Sequence, residues 1–321
     1  MTHSFKLSRR IARLRAPVFA AVLLTVAACA ATDSLNPDAS TPPTTSDPGS
    51  ETGGQPVPGD GTSFATSFPG GIPFGLFHLP ISDVGSRYNG VLRAPSPSSL
   101  LSDLAAIRSR GGKIILCFSG AQKNFKDSDG HFSLTKWKDM VDRFRKVNFS
   151  SYIQDGTIVA HYLIDEPYDA SNFNGRSVGG STLEAMAKYS KEIWPGMATI
   201  VRGEPYKIEW SGTYHYLNAA WAQYTYRKGN VSDYRTKNVS YAQKMGLALV
   251  VGLAIHTGGI NGRDMTPTQV KNWGSTLLGS SYPCAFVSWK YGDWVLTSSM
   301  KSAMSYLRSK AQSRSTKSCK G

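Results

Sequence analysis

Two short stretches set a glutamate directly before a proline at the end of an apolar run. Asp165-Glu166-Pro167 closes TIVAHYLI (157–164), and Glu204-Pro205 closes ATIVRG (198–203). A chain that only had to turn would do so more cheaply with Gly, Asn or Ser. Adjacent carboxylates at the lip of a core strand cost desolvation and mutual repulsion. Paired carboxyls suit hydrolysis of a glycosidic bond, where one protonates the leaving oxygen and the other, about 5–9.5 Å away, acts as base or nucleophile. Proline restricts the residue before it to extended conformations, so each Glu is expected to be held strand-like at its lip. Neighbouring strands lie about 4.8 Å apart, so Glu166 and Glu204 are expected to face one cleft, with Asp165 beside them. These three are the catalytic candidates. The structural alternatives are an ion pair of Glu204 with Arg202 or Lys290, or a helix N-cap by Asp165.

The other apolar runs also end on polar and aromatic residues. In chain order these are His78, then Ser119 with Gln122 and Asn124, then Arg202, then Trp221, Gln223 and Tyr224. His256 follows, and the last run ends on Trp289, Lys290 and Tyr291. His78, Gln122, Arg202, Gln223, His256 and Lys290 offer hydrogen bonds to a sugar. Trp221, Tyr224, Trp289 and Tyr291 offer flat apolar faces to pyranose rings, although aromatics are ordinary core filling too. His78, His256 and Asp165 sit on separate runs and no HxH or HExxH pattern joins them, so no metal is expected. A phosphate-cradling glycine loop and a GxSxG elbow are both missing, and no cofactor is implied.

The elements that must position these residues are short β-rich runs alternating with helical patterns. Seven strands are expected at 73–80, 113–120, 157–164, 198–203, 218–224, 247–255 and 284–291. Helical periodicity fills 98–110, 133–147 and 181–194, the last opening on a Ser/Thr cap, and recurs in three later stretches. Such alternation means parallel strands with crossovers, and continuous apolar runs mean burial on both faces. An open doubly wound sheet is the rival, but no glycine-rich loop follows the first strand. Size and repeat number favour an α/β fold of the (β/α)8 type, with the eighth strand weak or missing, or hidden in KIEWSGTYHYL (207–217). Chemistry in such a barrel gathers at the C-terminal strand ends, where the candidates lie.

The N-terminus carries an address. Residues 1–15 hold five Lys or Arg and no acid, an apolar run of thirteen follows, and then comes Cys29. This is an export signal over 1–28, and Val26-Ala27-Ala28-Cys29 resembles a lipobox with Cys29 as the lipidated residue. The alternatives are an ordinary secretory signal or an uncleaved anchor. Residues 29–69 are Pro, Ser, Thr, Gly and Asp with few large apolar side chains, a flexible tether ahead of a domain at 70–321. The protein is thus expected outside the cytoplasm, held to a membrane of the cell envelope by an N-terminal lipid. Without the signal the chain has 31 bases against 22 acids, or +9. That charge suits an anionic membrane surface or an acidic polysaccharide; nucleic acid is not expected, since no recognition motif is present. Cys284 begins the last strand, and the helix after it returns the chain to the same end of the barrel near Cys319. A Cys284–Cys319 bridge with Cys117 a buried thiol is expected, unless the basic tail frays and all three stay reduced.

An exported chain of this size, with YLIDEP closing one core strand and FVSWKYGDW closing a late one, resembles the (β/α)8 glycoside hydrolase-like proteins over about 70–309. The resemblance implies a polysaccharide or oligosaccharide substrate, Glu166 as acid/base and Trp289 as a floor of the sugar site. In the large retaining clan of that group the acid/base follows an Asn on the fourth strand and the nucleophile is a Glu ending the seventh. Here Asp165 stands in place of the Asn, the pair closes the third strand counted, and the last strand offers no Glu. An inverting enzyme, or a barrel that binds glycan without cutting it, stays open.

Overall fold

The computed structural model describes residues 70–320 apart from Ser86 and residues 209–211. The expected signal, Cys29 and the expected tether fall outside the described residues. Eight parallel strands close into a barrel in sequence order. They are β1 (Phe74–Phe77), β2 (Gly90–Arg93), β3 (Lys113–Leu116), β4 (Ile158–Asp165), β5 (Thr199–Arg202), β6 (Ala219–Tyr224), β7 (Ala248–Leu253) and β8 (Ala285–Ser288). Around them run α1 (Leu100–Ser109), α2 (Leu134–Asp142), α3 (Ser150–Gln154), α4 (Gly180–Ile193), α5 (Val231–Lys244), α6 (Pro267–Leu278) and α7 (Ser298–Gln312). The crossovers β1–β2 and β5–β6 carry no α-helix among the described residues.

The eighth strand is present, but not among the described residues of 207–217. It is β2, four residues that pair Gly90 with Gly75 of β1 and Lys113 of β3. The two glycines let these strands approach, because a Cβ on Gly75 would collide with the Gly90 carbonyl. With β2 counted, Asp165 and Glu166 close the fourth strand rather than the third, and Trp289 follows the eighth. The cap of α4 also differs from expectation. Its N-cap is Gly179, which makes no side-chain bond, and Ser181 and Thr182 lie inside the first turn.

Strand residues alternate between two cores, as the period of two requires. Phe77, Leu92, Ile115, Tyr162, Ile200, Trp221, Val250 and Val287 fill the barrel interior. Residues of opposite parity, such as Leu76, Val201, Ala220 and Val251, pack beneath the helices. The alternation breaks twice on β4, first at Val159 and Ala160, which both pack on the inner core, and again near its C-terminal end. Leu163 and Ile164 both join the outer core, and the β4–β5 register shifts between Tyr162 and Asp165. That irregularity turns Asp165 inward, as bulges near active sites commonly do.

At the opposite end the C-terminal tail crosses the barrel floor. Cys284 and Cys319 form a disulfide, and Cys117 is free and buried. The Asn218 side-chain amide donates to the Lys320 carbonyl at 2.6 Å, and the Thr316 hydroxyl to that of Gly71 at 3.3 Å.

Candidate active site at the barrel mouth

Arg202 organises the C-terminal mouth. It ends β5 opposite Asp165 in the register, and its guanidinium is buried. Nε donates to Asp165 Oδ1, one terminal nitrogen reaches Glu166 Oε2 at 3.2 Å, and the other donates to Gln223 Oε1 at 2.7 Å. Its Cζ also sits 4.9 Å from the Trp289 ring centroid. Burial works against this charge, but Asp165 and Glu166 outweigh burial and hold the guanidinium protonated. Burial likewise pushes the Asp165 carboxyl up, and Arg202 opposes that rise. Gln122 caps the group, donating to the Asp165 carbonyl at 3.1 Å.

Glu166 is the catalytic candidate that reaches solvent. Its side chain is 29% exposed, against 2% for both Asp165 and Glu204. Its backbone is not extended as the following proline led us to expect: φ is +39°. A non-glycine residue in that region is strained, and such strain concentrates at functional sites. The backbone is held there because Glu166 N donates to the Arg202 carbonyl at 2.8 Å and Glu166 O accepts from Asp169 N at 3.0 Å. The proline expectation fails here because the strand ends one residue early and the chain turns at Glu166.

Glu204 does adopt the extended backbone, with φ −65° and ψ 127°. Its carboxylate, however, is enclosed by four donors. Tyr168 Oη donates to Oε2 at 2.6 Å and Tyr234 Oη to Oε1 at 3.4 Å; Lys207 lies 3.6 Å away, and Lys228 pairs with Oε1. These partners come from the β4, β5 and β6 loops and from α5, so Glu204 ties the rim together. Neither Arg202 nor Lys290 is its ion-pair partner. Burial lowers the Lys228 ammonium to about 8, opposed by Glu166 and aided by Arg202. Tyr168, Tyr234, Lys207 and Lys228 were not anticipated from the sequence, and of these only Tyr168, two residues past Glu166, and Lys207, three past Glu204, lay close to a motif.

The remaining candidates divide. His78 stands at the mouth with φ +60°, its ring 3.9 Å from that of Phe77. Burial, then Lys290 and Arg93, lowers its pKa to about 4, so the imidazole is neutral at neutral pH. Phe77 stacks in turn on half-buried Trp289 at 4.4 Å, so that the Trp289 ring already touches Phe77 and Arg202. Gln223 leaves its Nε2 buried without a partner. Trp221 is fully buried in the interior and donates to the Val287 carbonyl. Tyr224 points outward to the helices, packing on Tyr234 and Trp273. Neither ring offers a face to the mouth. His256 is exposed and pairs with Asp264 at 2.8 Å, Lys290 is exposed, and Tyr291 is half-buried. Among the described residues, no three His, Cys, Asp or Glu side chains converge as metal ligands.

No protein-family model and no curated protein matches the chain. Solved structures do. The Saccharomyces cerevisiae protein Gas2p with laminaritetraose and laminaripentaose superposes at a TM-score of 0.53 and 9% identity, over 79% of this chain and 68% of that one. Gas2p with laminaritriose and laminaritetraose gives 0.52 and 10%, over 78% and 66%. The endo-β-1,4-mannanase of Thermotoga petrophila gives 0.48 and 9%, over 78% of each chain. At these identities the likeness is one of fold, the (β/α)8 barrel.

Proposed function

We propose that the protein is a cell-envelope glycoside hydrolase in which Glu166 donates the proton to the glycosidic oxygen. One observation carries this. At the end of β4, the strand on which the resemblance places the acid/base, a strained glutamate is held at the rim by Arg202 and is the accessible member of the three candidate carboxyls. Asp165 serves Arg202, and Gln223, with a free buried donor, serves a sugar hydroxyl. The laminari-oligosaccharides bound by Gas2p on a similar barrel support a glycan ligand.

Glu166→Gln keeps the shape and removes the proton. It should lower turnover by about 10² to 10⁴-fold, the usual share of general acid–base catalysis, while oligosaccharide binding persists. Full activity in that variant would refute the assignment. A second reading, glycan binding without cleavage, is favoured by the enclosure of Glu204 and by the absence of a carboxylate in Leu253-Ala254-Ile255-His256 at the end of β7. Wild-type protein that binds oligosaccharide and never releases reducing ends would establish it.

The same proposal places the barrel on a lipid anchor at Cys29 with the tether as spacer. Cys29→Ala should move the protein from the membrane fraction to the soluble fraction; a cleaved protein still on membranes would refute the anchor.

A further inference from the structure

One cleft lies outside the mouth. About 660 Å³ opens on the outer side of the β6–α5 loop, lined by Tyr226, Arg227, Asn230 and Trp273 among others. Tyr226 is 47% exposed, and its ring lies within 22° of parallel to that of Trp273, with centroids 6.0 Å apart. Tyr226 thus presents an apolar face at an open surface, beside a half-buried Trp273 that packs on the outer core. The loop is fixed at both ends. Tyr224 Oη donates to the Gly229 carbonyl at 2.6 Å, and Asn230 caps α5 by accepting from the amides of Ser232 and Asp233. Between those ends Lys228 turns inward to Glu204, whereas Arg227 is exposed and forms no ion pair among the described residues.

Charge points to the ligand. Residues 70–321 hold 31 bases and 17 acids, a net +14, while all five acids outside that range belong to the tether. Arg227 is the charged residue in the cleft's lining, and the stretch 225–278 that supplies most of that lining holds seven bases and two acids. One acid of the two, Asp264, is taken by His256. Lys228 is taken by Glu204, while three of the others rest on neutral groups. Lys237 lies 4.0 Å over the Tyr206 ring, Lys271 4.4 Å over Tyr306, and Arg235 donates to the Thr276 carbonyl at 2.9 Å. None of these three forms an ion pair among the described residues, and an excess of positive charge concentrates polyanions.

We infer that this cleft is a second binding site, taking a uronic acid residue of an acidic polysaccharide, with the pyranose ring against Tyr226 and Trp273 and its carboxylate on Arg227. A guanidinium meets a carboxylate with two parallel hydrogen bonds, which a neutral sugar cannot provide. The inference rests on the glycan reading of the barrel and adds the substrate class: a chain long enough to reach both cleft and mouth.

The test is affinity electrophoresis of the full-length protein through polygalacturonate and, separately, the neutral glucan laminarin. Wild type should be retarded by polygalacturonate in a salt-sensitive way and much less by laminarin. Tyr226→Ala and Arg227→Ala should each weaken the polygalacturonate interaction about tenfold at unchanged melting temperature, the Arg227 variant also losing part of the salt dependence. Wild-type affinity in both variants, or a preference for laminarin, overturns the inference. Glu166→Gln keeps the two readings separate: it should bind polygalacturonate as wild type does. If it blocks turnover while the Tyr226 and Arg227 variants bind normally, the second site fails and the hydrolase stands. If wild type cleaves nothing and Tyr226→Ala still loses binding, the hydrolase fails and the site stands.

Discussion

Asp165 and Glu166 are chemically similar neighbours with different fates, and the difference lies in one inserted residue. The irregularity near the C-terminal end of β4 points Asp165 into the barrel, where Arg202 neutralises it, and leaves Glu166 at the rim. Breaking a buried ion pair by removing one partner typically costs about 3–5 kcal/mol, because the other charge stays behind. Asp165→Asn and Arg202→Gln should each lower stability on that scale in denaturant titration. The double variant should lose clearly less than the sum, since no fully buried charge is then stranded and Glu166, left without Arg202, reaches solvent. Additivity to within about 0.5 kcal/mol would mean the two are not coupled. The presence of an acidic site at 165–166 was legible, because buried strands seldom end on paired carboxylates without cause. Which acid faces solvent was not, because no local pattern encodes a bulge. The enclosure of Glu204 was equally hidden, since its donors lie between three and thirty-six residues away along the chain.

At the scale of elements, seven of the eight strands announced themselves as apolar runs. β2 did not, being four residues that begin on glycine between a loop and a proline. Its place is fixed by close approach to β1, a tertiary fact, and missing it shifted the acidic pair from the fourth strand to the third. β4 carries a second feature that bears on its neighbours. His161 faces the outer core, fully buried, with Nδ1 2.8 Å from the Ser190 hydroxyl on α4 and its ring among Phe118, Trp137 and Trp194. Burial lowers its pKa to about 3. Between pH 6.5 and that value the unfolded chain takes up a proton that the folded chain refuses, so stability falls as pH falls, by at most about 1.4 kcal/mol per pH unit for this group. His78, lowered to about 4, adds in the same direction. Unfolding free energies measured from pH 7 to 4.5 should therefore decline, and His161→Gln should flatten the decline. An unchanged slope in the variant would show that His161 does not drive it.

Taken whole, the barrel separates its ends by task. The mouth holds strain, buried charge and a partly exposed carboxylate, whereas the floor is closed covalently by the tail. Parallel strands alternating with helices made this polarity readable in advance, and the Cys284–Cys319 juxtaposition followed from it. What spacing alone did not show is how firmly the tail lies down, through Asn218 to Lys320, Thr316 to Gly71, and Arg314 to the Pro283 carbonyl at 3.0 Å. The disulfide spans 35 residues, and the chain-entropy account assigns a loop of that length roughly 4 kcal/mol. Cys319→Ser should lower the melting temperature by several degrees. Reductant should bring wild type down to the variant and leave the variant unmoved. Because the mouth is at the other end, oligosaccharide affinity measured well below the melting transition should be the same in both. A wild-type transition insensitive to reductant would show that the bridge does not hold the floor. A variant that melts normally but loses the sugar would show instead that floor and mouth are one mechanical unit.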